Sequence, residues 1–192
     1  HIHNNTVVIP NFIEKSIIYQ KEHETSSVVL SFLGTIDDNK GIFDVIDVMG
    51  KNQSYFRGKI LFYIGGLGDE QRLTSLIQSY GIDDFVKYLG FVNGQNKTEL
   101  LSNTDIYIQP SYVESFGISI LEAMSYGAAV ISSNVGGIPE VVGDNNGFLV
   151  SPGDKDALFE KLVLLLENPN MRKKFSENSI ERSGQYYISE IE

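Results

Sequence analysis

The sequence predicts an α/β domain: a doubly wound parallel sheet of about six strands with helices on both faces. Three observations carry this. Short apolar runs recur along the chain, nearly continuous where a half-exposed strand would alternate. Amphipathic stretches at helical spacing separate most of them. The chain has 192 residues and 42% hydrophobic content, enough for one domain with its own core.

The elements follow in order. Residues 1–27, "HIHNNTVVIPNFIEKSIIYQKEHETSS", are polar and irregular apart from "TVVIP". They open without methionine and are expected to be a lead-in within a longer parent. Residues 28–167 form the main unit. "VVLSFLG" (28–34) is the first strand and ends in glycine; "GIFDVIDVMGKN" is the helix after it. "KILFYIGG" (59–66) is the second strand, and its helix places Leu73, Leu76, Ile77 and Tyr80 at helical spacing. "FVKYLGFV" (85–92) is the third run, followed by a short helix in "NKTELLSN". "DIYIQPS" (105–111) is the fourth, and "AAVISSN" (128–134) and "GFLVSP" (147–152) are the fifth and sixth. Between the fourth and fifth lies a helix with Leu121, Met124 and Ala128 facing the core and Gly127 as its stop. "SNVGGIPEVVGDNNGFLVSPGD" (133–154) reads as a glycine-rich return loop. "DKDALFEKLVLLLEN" is helical, and residues 168–192 form a C-terminal helical segment.

Composition removes several classes of function. A formal net charge of −10 makes the chain a poor partner for nucleic-acid backbones, so no nucleic acid is expected. The absence of cysteine removes disulfides, thiolate ligands and cysteine nucleophiles, and permits a reducing compartment. His1, His3 and His23 lie outside the regular part of the chain, which argues against a histidine-based triad or zinc site. No apolar run approaches membrane-span length, and no signal peptide is visible. "NNT", "NQS" and "NKT" match the glycosylation sequon as chance triplets do.

The remaining signals cluster where strands end, which is where open α/β sheets bind ligands. In "GTIDDNKG" (34–41), Gly34 ends the first strand and Lys40 opens the first helix, so Lys40 can reach an anion there. A solvated turn lysine is the plain alternative. In "IGGLGDEQRL" (64–73), Gly66 and Gly68 fit the start of a dinucleotide fingerprint, but Gln71 and Arg72 stand where its third glycine belongs. Turn glycines are the expected explanation.

"ESFGISILEAMSYG" is the sharpest stretch. Ser119 or Gly117 could cap the helix, and Glu122 stands at capping-box distance from Ser119, which would explain it locally. Glu114, in the preceding loop, has no such local partner in the sequence. Free N–H groups from Phe116 to Ser119 would form a helix N-terminus suited to phosphate. Carboxylates beside an anion site repel phosphate but accept from neutral hydroxyls. The constellation therefore suits a ligand with both phosphate and hydroxyls, a nucleotide sugar, and not a glycosidase carboxylate pair.

Taken together, these motifs resemble the C-terminal, donor-binding domain of retaining glycosyltransferases of the GT-B architecture, family 4 or group 1 type, with a Rossmann-like fold. The resemblance runs from "VVIPNFIE" to about Phe175 and centres on the E-x7-E spacing of Glu114 and Glu122. It implies that Lys40 and Glu114 act at the reacting centre, Lys40 on the donor diphosphate and Glu114 on the transferred sugar. It implies that Glu122 binds ribose and that backbone at Phe116, Gly117 and Ile118 holds phosphate or sugar oxygens. Gly34 and Thr35 complete the donor site, and Phe91 and Val92 meet the base. It further implies no metal and no cofactor beyond the donor substrate, an N-terminal acceptor-binding domain missing from this chain, and an isolated chain that transfers nothing. Polysaccharide assembly in the cytoplasm, with peripheral membrane association allowed for the full-length parent, is the implied setting.

Four positions depart from the family pattern: Thr35 where arginine is usual, Leu67 for glycine, Ala129 for proline and Phe12 for glycine. Loss of one charged contact to phosphate corresponds to roughly 1.5–3 kcal/mol, about ten- to a hundredfold in donor affinity. Thr35 therefore favours an alternative, a non-catalytic nucleotide-sugar-binding or scaffold module that has kept the fold. An NAD-dependent oxidoreductase is disfavoured by the broken glycine fingerprint and by the lack of an acidic residue closing the second strand.

Overall fold

The computed structural model describes residues 27–186. Expectations for "VVIPNFIE", the three histidines and Phe12 lie outside the described residues. Six strands, β1 (Val28–Leu33), β2 (Ile60–Gly65), β3 (Val86–Tyr88), β4 (Ile106–Gln109), β5 (Ala129–Ser133) and β6 (Gly147–Val150), form one sheet in the order β3-β2-β1-β4-β5-β6. Every pairing is parallel; Leu30 lies opposite Phe62 on one side and Ile106 on the other. The helices are α1 (Ile42–Lys51), α2 (Gln53–Phe56), α3 (Glu70–Tyr80), α4 (Gly94–Ser102), α5 (Ile118–Ser125), α6 (Ile138–Val142), α7 (Lys155–Glu167) and α8 (Pro169–Ser183). Among the described residues, no helix is long and apolar enough to cross a membrane.

The period-two rule sorts the strand side chains into two cores. Leu30 and Phe32 of β1, Ile106 and Ile108 of β4, and Ala129 and Ile131 of β5 pack under α1, α3 and α7. Leu33, Tyr107 and Val130 point the other way and meet α4, α5 and α6. Burial on both faces is why β1, β4 and β5 read as continuous apolar runs. Each fully buried Leu, Ile or Phe contributes about 1.5–3 kcal/mol, so the two cores hold the strand ends in a fixed frame. Helix α8 returns across the second face, onto α5 and β5.

The structure corrects three sequence-based expectations. The run at 85–92 yields only a three-residue edge strand. Beyond Tyr88 the chain bends over the end of β2, where the Leu89 N–H donates to Ile64 at 2.8 Å and the Gly66 N–H to Gly90 at 2.8 Å. Leu89 and Phe91 are thereby left exposed. The return loop contains α6, because Ile138, Val141 and Val142 fall on one helical face with a proline in the first turn. The four-residue α2 lies in a stretch where no helix was expected.

Candidate functional site

The strand order reverses between β1 and β4, and their carboxyl-end loops depart to opposite faces of the sheet. That divergence opens a crevice, the usual ligand position in such sheets. The β1 loop carries Gly34, Thr35 and a 3-10 turn, Asp38–Lys40, whose capping Asp37 carboxylate accepts the Lys40 N–H at 2.9 Å. The β4 loop carries Glu114 and leads into α5 at Gly117, which adopts a left-handed conformation, φ 95°. The Tyr112 N–H donates to Asn39 O at 2.7 Å and ties the two loops together.

Lys40 and Glu114 meet in this crevice. Lys40 Nζ lies 2.6 Å from Glu114 Oε2, and both side chains are largely shielded from solvent, 23% and 14% exposed. Glu114 Oε1 accepts from the Ser115 N–H at 3.0 Å and the Phe116 N–H at 3.4 Å. Glu114 therefore has the local partners its sequence context did not suggest, and the Phe116 N–H is engaged by Glu114 where a free donor was expected. Burial pushes the Glu114 carboxyl upward, but the Lys40 hydrogen bond and charge, with the two backbone donors, outweigh it and hold the group below the usual carboxylate range.

A buried polar thread supports Glu114 from beneath. Gln109 Nε2 lies 3.4 Å from Glu114 Oε2 and 3.2 Å from Ser111 Oγ. Gln109 Oε1 accepts from Ser119 Oγ at 2.9 Å and lies 2.7 Å from the Tyr107 hydroxyl. That hydroxyl lies 2.8 Å from Leu33 O and accepts the Leu33 N–H at 3.2 Å. The end of β1 and the start of α5 are thus joined through side chains of β4.

The capping-box pairing does not form. Helix α5 starts at Ile118, so Ser119 already lies inside its first turn and cannot be the capping residue. Ser119 bonds to Gln109 instead, and Glu122 reaches Lys97 of α4, 2.7 Å away. Glu122 and Lys97 form one wall of a cleft of about 380 Å³. Gly34, Thr35, Gly65, Gly66 and Leu67 line another part, and Phe91 and Val92 close it with apolar surface. Phe91 is 66% exposed at this edge.

Of the residues singled out by sequence, Gly34, Thr35, Phe91, Val92 and Glu122 share this cleft. Lys40 and Glu114 form the ion pair in the crevice between β1 and β4. Gly117 and Ile118 begin α5, Ile118 with its side chain exposed, while the Phe116 ring turns away to meet Tyr186 edge-on at 5.9 Å. Sequence reasoning missed Lys97 and Gln109. Lys97 had a signal, a lysine in the first turn of a helix after a strand, the setting the sequence suggested for Lys40, which instead ends the 3-10 turn ahead of α1. Gln109 had another, a polar residue closing the otherwise apolar "IYIQ" strand.

Two glycines set the approach of the surrounding loops. A Cβ on Gly66 (φ 148°) would lie 1.8 Å from Gly34 O, and one on Gly136 (φ 52°) would lie 1.7 Å from Glu114 O. Gly66 therefore serves backbone packing of the β2 loop against the β1 loop, the turn role expected for it. Arg72, noted within the same motif, lies 3.0 Å from Asp38 and 3.7 Å above the Phe43 ring.

Comparison with known proteins agrees with this architecture. The family described as "Glycosyl transferases group 1" matches residues 14–182. Phosphatidyl-myo-inositol mannosyltransferase of Mycobacterium leprae is 33% identical over 158 residues, 81% of this chain and 41% of that protein. O-antigen chain mannosyltransferase B of Escherichia coli is 27% identical over 157 residues, with the same 81% and 41% coverage. The chain spans less than half the length of these curated relatives. Among solved structures, S. aureus TarM has a TM-score of 0.82 at 20% identity, over 95% of this chain and 36% of its own. The C-terminal domain of the group 1 protein LpcC from Francisella tularensis has a TM-score of 0.75 at 24% identity, over 86% of this chain and 89% of that domain. At such identities the two structures speak to the fold, which is that of GT-B glycosyltransferases. A family match of this extent, on a chain whose fold agrees with it, makes this chain a member of the group 1 glycosyl transferases.

Proposed function

We propose that the chain is the donor-binding half of a retaining glycosyltransferase that moves a sugar from a nucleotide diphosphate sugar to a hydroxyl acceptor. The acceptor domain lies outside this chain. The observation that carries the reading is the pairing of a lysine with a glutamate at two places around the strand ends, Lys97–Glu122 in the cleft and Lys40–Glu114 in the crevice. The apolar Phe91–Val92 wall suits a flat base, with Glu122 accepting ribose hydroxyls beside it. Lys40 and the start of α5 supply positive character for the diphosphate, and Glu114 accepts hydroxyls of the transferred sugar. With charge supplied in this way, the reading requires no metal. The group 1 relatives named as mannosyltransferases, and the UDP present in the solved complexes of TarM and Anabaena HepE, are in keeping with it.

Calorimetric titration of the folded chain with UDP-, GDP- and ADP-sugars tests this. Saturable binding of at least one donor is expected, lost in Lys40→Ala and in Glu122→Ala. Silence from every donor at millimolar concentration overturns the reading. A second reading, a binding module without turnover, draws on the uncharged Thr35 in the cleft. Sugar transfer by the full-length parent separates the two.

A further inference from the structure

The protein itself supplies Glu114 with a cation, and a donor diphosphate would need the same ammonium. We propose that the Lys40–Glu114 pair makes the site prefer a nucleotide sugar over the nucleoside diphosphate that transfer leaves behind. This rests on the donor-binding reading above and deepens it.

The argument is one of partner exchange. Thr35 offers no charge, so a diphosphate in the crevice draws on Lys40. To do so it must take Nζ from Glu114 Oε2, 2.6 Å away. Glu114 then keeps its Ser115 and Phe116 N–H donors on Oε1 but loses its cation on Oε2. The Gln109 amide, 3.4 Å from Oε2, is a neutral donor and brings no charge to replace the ammonium. The carboxylate is left facing a phosphate of like charge, which is unfavourable in a shielded site. A nucleotide sugar resolves the conflict, because its hydroxyls donate to the Oε2 position that Lys40 has left. A bare nucleoside diphosphate brings no such donor and carries an additional negative charge on its terminal phosphate. Glu114 is thus a selectivity residue: its ion pair resists the product and yields to the substrate.

Two measurements test this on the chain as it stands. The first is calorimetry with UDP-glucose and GDP-mannose set against UDP and GDP. The native chain should favour the nucleotide sugar. Glu114→Gln keeps the shape and an acceptor oxygen but removes the charge that holds the ammonium. It should tighten nucleoside diphosphate binding by about three- to tenfold, as expected for freeing a partly buried lysine, and narrow the preference for the sugar. Equal weakening of both ligands, or an unchanged ratio, overturns the proposal. The second measurement needs no nucleotide recognition: the Glu114 carboxylate carbon is followed by NMR while inorganic pyrophosphate is added. Its resonance should move toward its position in Lys40→Met. A resonance that stays fixed while nucleotide sugars bind overturns the exchange and leaves the donor reading intact. A moving resonance with no nucleotide sugar bound overturns the donor reading and the selectivity with it.

Discussion

Thr35 leaves β1 directly into the cleft, and Lys40, close by in the same loop, is held by Glu114. The positive charge open to a phosphate here is consequently small. Placing a guanidinium at position 35 adds a cation that Glu114 does not already hold. Thr35→Arg is expected to tighten nucleotide-sugar binding by about ten- to a hundredfold, the equivalent of one charge-assisted hydrogen bond. Equal or weaker affinity by calorimetry would remove the idea that a phosphate cation is missing. At this scale the sequence was informative about residue identity and poor about partners. Glu114, Glu122 and Lys40 stand out in the sequence; that each glutamate holds a particular lysine does not, because Lys97 and Lys40 lie 25 and 74 residues from their partners. Gln109 was hidden for another reason, since a single polar residue in a strand looks like an imperfection until its neighbours are known.

The elements were read well where period and burial agreed and poorly at their ends. The central strands declare themselves because both faces are buried, whereas β3 stops at Tyr88, where the chain bends over the end of β2. Helix α5 begins at Ile118 because Gly117 takes the left-handed turn, and this single-residue placement decides that Ser119 is not a cap. The loop before α6 bears through backbone on the loop that leads into α5, at Gly136 against Glu114 O. Gly136→Ala combines a strained φ with a backbone clash, at about 2–3 kcal/mol or more. It should lower the melting temperature by about 4–12 °C and weaken donor binding by displacing the Glu114 loop. Gly58→Ala is the control, since its φ of 77° is also left-handed but an added Cβ would meet nothing within 4 Å. A Gly136→Ala chain no less stable than Gly58→Ala would show that the α6 loop yields freely and does not hold the Glu114 loop in place.

For the whole molecule, alternation of apolar runs and helices was enough to read a parallel α/β sheet, but not its strand order. The order β3-β2-β1-β4-β5-β6 comes from which helices cross to which face, and the crevice exists only because β1 and β4 are neighbours with loops leaving in opposite directions. The two internally paired lysines have a consequence for the speed of capture. The chain carries a formal net charge of −10, and the carboxylates beside Lys40 and Lys97 offset the positive charge of the site. An anionic ligand thus approaches a molecule whose long-range field opposes it. Added salt shortens the reach of that field, to roughly 8 Å at physiological ionic strength, and should speed the encounter, the reverse of a basic cleft that steers its ligand inward. Stopped-flow mixing with a fluorescent nucleotide should give association rates that rise with ionic strength. Rates that fall would show that the field near α5 and Lys40 governs capture.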